Sequence, residues 1–375
     1  MHFDLSESQQ LLKNTARKFW QAECPLAEAR RRMEAPGACD AALWKKIAEQ
    51  GWTGVLFPEE FDGLGLGMVE MAVLMEEMGR ALAPVPYLAT VLMAGTLLDR
   101  AGTPAQKRRW LGPICRGEAR ATVALLEAAA SWDPDGVSLA ADKSAPGFTV
   151  NGAKLFVANA EEADSLICGA RIDGELALLV IDRRSKGLTV EPMPAIDLTR
   201  QLYAVKLDHV EVPAENILAT GAAARQALDA MLETATAGLA AEMVGGMQRV
   251  LEISVEYAKT RKQFGKPIGQ FQAVQHMCAD MLLAAEGSRS AAYYAAWAIE
   301  SGAPQAALAV SVAKAYAGDA YRETGNRGIQ VHGGMGFTWE NDVHLYYRRA
   351  KASDLLFGDS SYHREKVARL VVDHD

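Results

Sequence analysis

The order of residue patterns along the chain constrains its fold more than any single motif does. Residues 1 to about 120 place apolar side chains at helical spacing, as in MVEMAVLMEEMGRALAP. From about 121 to 218 the sequence changes to short runs rich in Val, Leu and Phe, which glycines and acidic residues separate; this is typical of strands. From about 223 onward, long alanine-rich helical patterns return. Helices, then strands, then helices predict an α+β protein.

We therefore predict three domains. They are an N-terminal helical domain at 1–120, a middle β-barrel or β-sandwich domain at 121–222, and a C-terminal four-helix bundle at 223–375. A chain of 375 residues is longer than one hydrophobic core usually spans, which favours several domains. Small residues along the C-terminal helices, as in QAALAVSVAKAYAGDAYRETGNRG, allow the close packing of a bundle.

Composition excludes several function classes. Half of the residues are apolar and 23% are charged, as in ordinary globular proteins. A net charge of −8 without a long basic run argues against nucleic acid as a partner. No apolar run reaches the roughly 18 residues of a membrane span. The cysteines lack metal-ligand spacing, so we expect no metal site, and buried thiols in a reducing cytoplasm; they are Cys24, Cys39, Cys115, Cys168 and Cys278.

Two segments in the last third of the chain could bind an anion. The first, YAKTRKQFGKPIGQFQAVQHMCADM, places Arg261, Lys262 and Lys266 near a helix end. The helix dipole alone favours cations there, so the pattern indicates either helix stabilisation or a clamp for a phosphate or pyrophosphate. The second, GIQVHGGMGFTWE (328–340), has glycines that would let backbone N–H groups approach a ligand. A plain turn between helices would use the same glycines.

These segments, together with the glycine-rich loop FPEEFDGLGLG and the order of domains, resemble the acyl-CoA dehydrogenase family along nearly the whole chain. RKQFGKPIGQFQAVQH is similar to that family's R-x-x-F-G-x-x-I-x-x-x-Q segment. QVHGGMGFTWE, followed by LYYRRAK, is similar to its Q-x-x-G-G-x-G-[FY] segment and the Arg-containing helix after it. FPEEFDGLGLG itself is not followed by GK[ST], so it does not indicate a P-loop.

The resemblance implies α,β-dehydrogenation of an acyl-CoA thioester, with FAD as cofactor and an electron-transfer flavoprotein or similar acceptor. It implies a dimer or tetramer in which FAD lies extended at a subunit interface. The neighbouring subunit then binds the pyrophosphate and adenosine. The residues implied in that contact are Arg261, Gln263, Phe264, Gln272, Gln330, Gly333 and Gly334.

The segments that face the flavin in this family are altered here. Where the family reads roughly T-E-P-x-A-G-S-D, this chain has LEAAASWD, so Leu126 replaces a flavin-bonding Thr and Trp132 replaces a small Ser. Where the family reads K-x-W-I-T-N, this chain has KLFVAN. Phe156 then stands for the Trp, and Ala158 stands for a second flavin-bonding Thr. By resemblance Phe156 and Ala158 remain flavin contacts. If Leu126 and Ala158 face the ring, two of the hydrogen bonds that the family makes to it are absent in this chain.

The family's catalytic base is replaced as well. Counted without gaps from Gly336, LLFGDSS lies on the family's I-Y-E-G-T-S, which puts Phe357 where a Glu removes the α-proton. Some members carry the base on a helix of the C-terminal domain, at the position of Ala235 in this chain. A missing general base costs about 10²–10⁴-fold in rate.

Two acidic residues are candidates for a displaced base. Asp359 lies close to the replaced position, although Asp359 or Ser360 could equally cap the last helix. Glu242 is seven residues beyond Ala235 and shares its helix face about two turns away. Glu233 lies two residues before Ala235, about 200° around the helix, and is expected to face away from it.

Two functions remain open at this point. The chain is either a subunit that donates the FAD pyrophosphate and adenosine half-site to a partner with the catalytic Glu, or a self-sufficient homo-oligomeric enzyme with Asp359 or Glu242 as base. The residues implied in contact with a neighbour's FAD are retained, whereas the residues implied for the chain's own flavin and substrate are altered. This pattern favours the subunit that donates its half-site. Such heteromers resemble those that act on bulky acyl-CoAs such as steroid side-chain thioesters.

Overall fold

The structure, a computed structural model, describes residues 4–34 and 41–372. Cys39, one of the expected buried thiols, lies outside the described residues. The first part of the chain is helical, with two π-helical segments at Leu88–Gly95 and Lys107–Leu111. Its α-helices are α1 (Glu7–Glu23), α2 (Leu26–Glu34), α3 (Ala41–Glu49), α4 (Met68–Ala81), α5 (Thr96–Ala101), α6 (Pro104–Gln106) and α7 (Gly112–Cys115).

The middle part forms two four-stranded sheets. Their orders are β1-β4-β5-β8 and β2-β3-β7-β6, and every pairing is antiparallel except that of β1 with β4. One apolar core contains side chains from both sheets, including Val150, Leu179 and Val205. The strands are β1 (Ala121–Ala124), β2 (Ala141–Ser144), β3 (Gly147–Ala158), β4 (Ser165–Ile172), β5 (Glu175–Asp182), β6 (Leu188–Met193), β7 (Leu202–Pro213) and β8 (Ile217–Thr220).

The pairing of β3 with β7 is interrupted beside one of the altered flavin-facing positions. The register breaks between Lys154 and Val157, and Phe156 lies in this bulge with φ of +56°. The bulge turns the Phe156 side chain outward, where it is 40% exposed, whereas Val157 beside it is buried.

The last part of the chain is a helical bundle. It contains α8 (Gly221–Thr260), α9 (Gln272–Glu300), α10 (Ala306–His332), α11 (Val343–Leu355) and α12 (Ser360–Val372), with a short hairpin of β9 (Lys262–Gln263) and β10 (Lys266–Pro267) between α8 and α9. Helix α4 crosses α8 so closely that a Cβ on Gly79 would lie 1.9 Å from the Glu242 carbonyl oxygen, and one on Gly245 would lie 1.8 Å from that of Glu76. Glycine at both positions therefore allows the first and last parts of the chain to share a core.

The α+β prediction, with helical parts at both ends and a sheet domain between them, is confirmed. Within the described residues neither sheet closes on itself, so the middle domain is built of packed sheets and the barrel alternative is wrong. A search of the described helices finds none that is both long enough and apolar enough to cross a membrane.

Candidate functional site

Two of the altered positions lie in contact. Trp132 follows β1, and Phe357 lies in the turn between α11 and α12. Their ring centroids are 4.9 Å apart with planes at 64°, which is an edge-to-face contact, and Phe357 is only 2% exposed. The cavity beside them has a volume of about 20 Å³. A cavity of that size holds about one water molecule, so it has no room for an acyl chain.

Buried polar groups fix the turn that carries Phe357. The backbone has φ of +62° at Phe357 and +97° at Gly358. The His363 imidazole Nε2 lies 3.0 Å from the Phe357 carbonyl oxygen. The Lys314 ammonium donates to the carbonyl oxygens of Asp354 and Gly358, at 2.8 and 2.7 Å. Burial lowers the pKa of Lys314 to about 8. The ring of Phe357 is thus held against Trp132 by contacts inside the bundle.

His363 makes the stability of this turn dependent on pH. Burial, with Lys314 nearby, lowers the pKa of His363 from 6.5 to about 4. The folded chain therefore keeps a neutral imidazole down to about pH 4, whereas the unfolded chain binds a proton below about pH 6.5. The free energy of unfolding therefore includes a contribution of roughly 3 kcal/mol from His363. This contribution is fully present above pH 6.5 and is lost as the pH falls to 4.

Urea unfolding between pH 7 and 4 checks this expectation. His363→Gln keeps a donor for the Phe357 carbonyl and should flatten the acid side of the profile. His209→Gln, at an exposed histidine on β7, is the matched control and should leave the profile unchanged. An unchanged acid side in His363→Gln would contradict the assignment.

Asp359 has a structural contact at the start of the last helix. Its carboxylate accepts a hydrogen bond from the Tyr362 N–H at 2.8 Å, as an N-cap residue does. Ser360, the other possible cap, is buried and donates to the Ala315 carbonyl oxygen and the Asp354 carboxylate, at 3.1 and 3.0 Å. Of the two caps considered from the sequence, Asp359 is the one that bonds the first turn. Its role as a base stays a prediction.

Glu242 belongs to a buried group of charges, which we call the charge network: Asp197, Arg200, Glu242 and Arg349. Both Glu242 carboxylate oxygens lie 2.8 Å from Arg200, and one of them also accepts from Arg349. Arg349 donates to Asp197 at 2.6 Å. Burial would lower the pKa of Arg349, but Asp197 and Glu242 outweigh burial and raise it. Arg349 is therefore paired with two carboxylates, and the Glu242 carboxylate is shared by two guanidinium groups.

Arg200, Glu242 and Arg349 of the charge network line a small chamber that also reaches Ala158, a flavin contact by resemblance. Ala158 and Leu88 are on its wall, together with Glu242 and Arg349, and its volume is about 50 Å³. Pockets for drug-sized ligands are about 300–1,000 Å³. Neither this chamber nor the cavity at Phe357 is large enough for an isoalloxazine ring.

Glu233 was not expected near Phe357, yet it lines the 20 Å³ cavity beside Phe357 and Trp132. Ala235, which marks the alternative base position, is fully buried and does not line that cavity. Burial raises the pKa of Glu233, although Lys366 opposes the shift. Glu233 and Ala235 lie on different faces of α8, as their 200° separation predicts. The orientation of α8 about its own axis turns the face that carries Glu233 toward this cavity.

The residues implied in contact with a neighbour's FAD lie together at the surface of the bundle. Two segments carry them, and these meet where Tyr257 stacks on His332 with ring centroids 4.3 Å apart. Phe264 is 91% exposed. A Cβ on Gly333 or Gly334 would meet nothing within 4 Å. All seven are exposed, and we call them the donor set: Arg261, Gln263, Phe264, Gln272, Gln330, Gly333 and Gly334.

The donor set fits an extended anionic dinucleotide. Arg261 supplies a cation, and two open glycines let the backbone approach a pyrophosphate. Within residues 4–34 and 41–372 the Arg261 guanidinium forms no hydrogen bond or ion pair. Exposed apolar side chains continue the surface beyond the glycines, with Met335 at 49% and Phe337 at 73% exposure. Such a surface is typical of a contact with another chain.

Comparison with known proteins identifies the family. The family description "Acyl-CoA dehydrogenase, N-terminal domain" matches residues 6–118, and "Acyl-CoA dehydrogenase, C-terminal domain" matches residues 204–372. The chain belongs to the acyl-CoA dehydrogenase family. A Bacillus subtilis relative named probable acyl-CoA dehydrogenase YngJ is 31% identical over 380 residues, covering 98% of this chain and 99% of that protein. Membership confirms the resemblance inferred from the motifs and the oxidoreductase class that comes with it.

Other relatives share the full length of the fold. Acyl-CoA dehydrogenase IpdE2 of Mycobacterium tuberculosis is 31% identical, covering 97% of this chain and 96% of that protein. The crystal structure of the ChsE4-ChsE5 complex from M. tuberculosis matches with a TM-score of 0.91, at 26% identity over 100% of both chains. A structure of PigA with FAD and proline matches with a TM-score of 0.92, at 27% identity over 99% of both chains.

Proposed function

We propose that this chain is a subunit of an FAD-linked acyl-CoA dehydrogenase and donates the pyrophosphate and adenosine half-site of FAD to a partner chain with the catalytic Glu. The observation that carries the proposal is the contact of Trp132 with Phe357. It occupies the place of the family's base and leaves about 20 Å³ beside it. The donor set, in contrast, is exposed and open.

Five residues of the donor set have a definable task in such an assembly. Arg261 would neutralise the pyrophosphate, and the amides of Gln263 and Gln330 would hydrogen-bond the dinucleotide. Gly333 and Gly334 would admit the phosphates to the backbone. FAD, when bound, supplies the hydride acceptor for α,β-dehydrogenation of an acyl-CoA thioester.

The setting of the assembly is part of the same proposal. We infer a hetero-oligomer, dimeric or tetrameric, which oxidises a bulky acyl-CoA such as a steroid side-chain thioester and passes electrons to an electron-transfer flavoprotein or similar acceptor. A structural relative, ChsE4-ChsE5, is itself a complex. A reducing, cytoplasmic setting agrees with the four described cysteines, which are all free.

Two preparations of the full chain test the proposal. In one it is expressed alone; in the other it is co-expressed with a homologous chain from the same organism that has Glu at the position of Phe357. We expect a colourless, inactive protein alone. The co-purified complex should be yellow, with about one FAD per pair of chains, and should oxidise an acyl-CoA. Absorbance at the flavin band and reduction of a dye acceptor report the two results.

A self-sufficient homo-oligomeric enzyme is the alternative. About one FAD per chain, with acyl-CoA oxidation by the chain alone, would establish it and overturn the proposal. Asp359→Asn and Glu242→Gln would then test the two candidate bases. The contacts described above count against both, because one carboxylate caps α12 and the other joins two arginines.

A further inference from the structure

The charge network connects the middle domain to the bundle. Asp197 and Arg200 lie in the loop at 194–201 between β6 and β7, whereas Glu242 is on α8 and Arg349 is on α11. We propose that this network is a lock that holds the middle domain against the bundle without a bound flavin ring. The inference rests on the proposed function, because a subunit that donates its half-site must keep its fold with its own ring site empty.

The loop side of the lock is itself fixed. The Asp197 carboxylate accepts from the Thr199 N–H at 2.9 Å and from the Thr199 hydroxyl at 2.6 Å. It also accepts from Arg349 on the bundle, at 2.6 Å. Asp197 is 1% exposed and Arg349 is 4% exposed, so water screens this pair weakly. One buried carboxylate therefore shapes the loop and binds it to α11.

On the bundle side, every side-chain nitrogen of Arg349 makes a hydrogen bond. Its three nitrogens donate to Asp197, Glu242 and Thr199. Arg200 extends the contact from the loop to Ser353 on α11, at 3.3 Å. Among the described residues, no side-chain polar atom of the charge network is buried without a partner. A network with its hydrogen bonds satisfied internally leaves no group aimed at a ligand, which favours a structural lock over a binding site.

The lock lies beside a position that the family resemblance assigns to the flavin. Its residues Arg200, Glu242 and Arg349 line the chamber that Ala158 also lines. Only about 50 Å³ remains open there. Contacts within the protein thus join the middle domain to the bundle beside Ala158, without a ring between them.

Thermal unfolding of the full chain, with and without added lumiflavin, tests the lock; lumiflavin is the isoalloxazine ring without the pyrophosphate and adenosine that the donor set would bind. We expect saturating lumiflavin to leave the midpoint of the wild-type chain unchanged, because the folded state gains no ring contacts. Glu242→Gln should lower the midpoint by about 5–10 °C, since it leaves two buried arginines short of a counter-charge. It should also raise hydrogen exchange in residues 194–201 and in α11 together. Lys351→Met, at a cation on α11 whose ring contact is with Tyr347 of the same helix, is the matched control and should change neither readout.

A milder variant keeps the test valid if Glu242→Gln does not fold. Thr199→Val retains all four charges and removes one hydrogen-bonding hydroxyl, so exchange in residues 194–201 should rise while the midpoint falls by about 1–3 °C. Stabilisation of the wild-type chain by lumiflavin, or unchanged exchange in both variants, would overturn the lock. Failure of the proposed function is seen separately, in the FAD content of the partner complex.

Discussion

Arg261→Ala should weaken FAD binding by the partner complex about 30-fold to 5 × 10³-fold while the chain itself folds normally. Loss of one partner of a desolvated, charge-assisted contact costs about 2–5 kcal/mol. In this chain the Arg261 side chain is exposed, and the contacts of Arg261 within the chain are made by its backbone. The Arg261 N–H donates to the Tyr257 carbonyl oxygen, and the Arg261 carbonyl oxygen accepts from the Ile268 N–H. Its removal therefore changes the donated half-site and little else.

The neighbouring Lys262 provides the matched control. It is also an exposed cation beside the same hairpin, and the family resemblance assigns it no contact with FAD. Lys262→Ala should lower affinity by a few-fold at most, through the general field of the surface. Titration of the FAD-depleted complex with FAD, followed by flavin fluorescence, measures both constants. Equal losses in the two variants would show that Arg261 acts by charge alone and not as a positioned contact.

The sequence was informative wherever local chemistry decides the structure. The change from helical spacing to short strands placed the β domain, because spacing and β-propensity act within a few residues. The donor set could be identified because its glycines and cation lie in two short segments. The structure adds that these segments meet at the Tyr257–His332 stack, a contact between residues 75 positions apart in the sequence.

Contacts between distant segments were beyond what the sequence could predict. Trp132 and Phe357 were each recognised as replacements, but nothing in the sequence shows that the two rings touch. The charge network was likewise not predictable from the sequence. Asp197 and Arg200 have the composition of ordinary loop residues, and their partners lie on α8 and α11, which are distant in the sequence. Glu233 shows the same limit, because the helical period fixes angles within α8 but not the rotation of α8 against its neighbours.

The Phe357–Trp132 contact leads to the second large effect. Phe357→Glu puts the family's residue back at its position, yet we expect no acyl-CoA oxidation, because Trp132 remains and the cavity stays near 20 Å³. The substitution should cost about 3–5 kcal/mol of stability, in the range of large losses from a packed core. Urea unfolding and a dye-linked assay of the variant chain, purified without a partner and supplied with FAD, check the two parts. Turnover by Phe357→Glu alone would show that the cavity opens more readily than this packing allows.

The pH dependence of that variant distinguishes a buried carboxyl from a simple packing defect. Burial, with Glu233 lining the same cavity, should raise the pKa of a glutamate at position 357. A raised pKa in the folded state contributes stability at low pH that is lost as the pH rises through it. Phe357→Glu should therefore gain stability relative to wild type as the pH falls from 8 to 5. His363 is present in both chains, so its loss of stability at acid pH does not account for this gain. Phe357→Gln has the same shape without the ionisable proton, and its deficit against wild type should not vary with pH. Parallel pH profiles for the Glu and Gln variants would mean that the side chain at position 357 reaches water, and that the ring of Phe357 does not close this cavity.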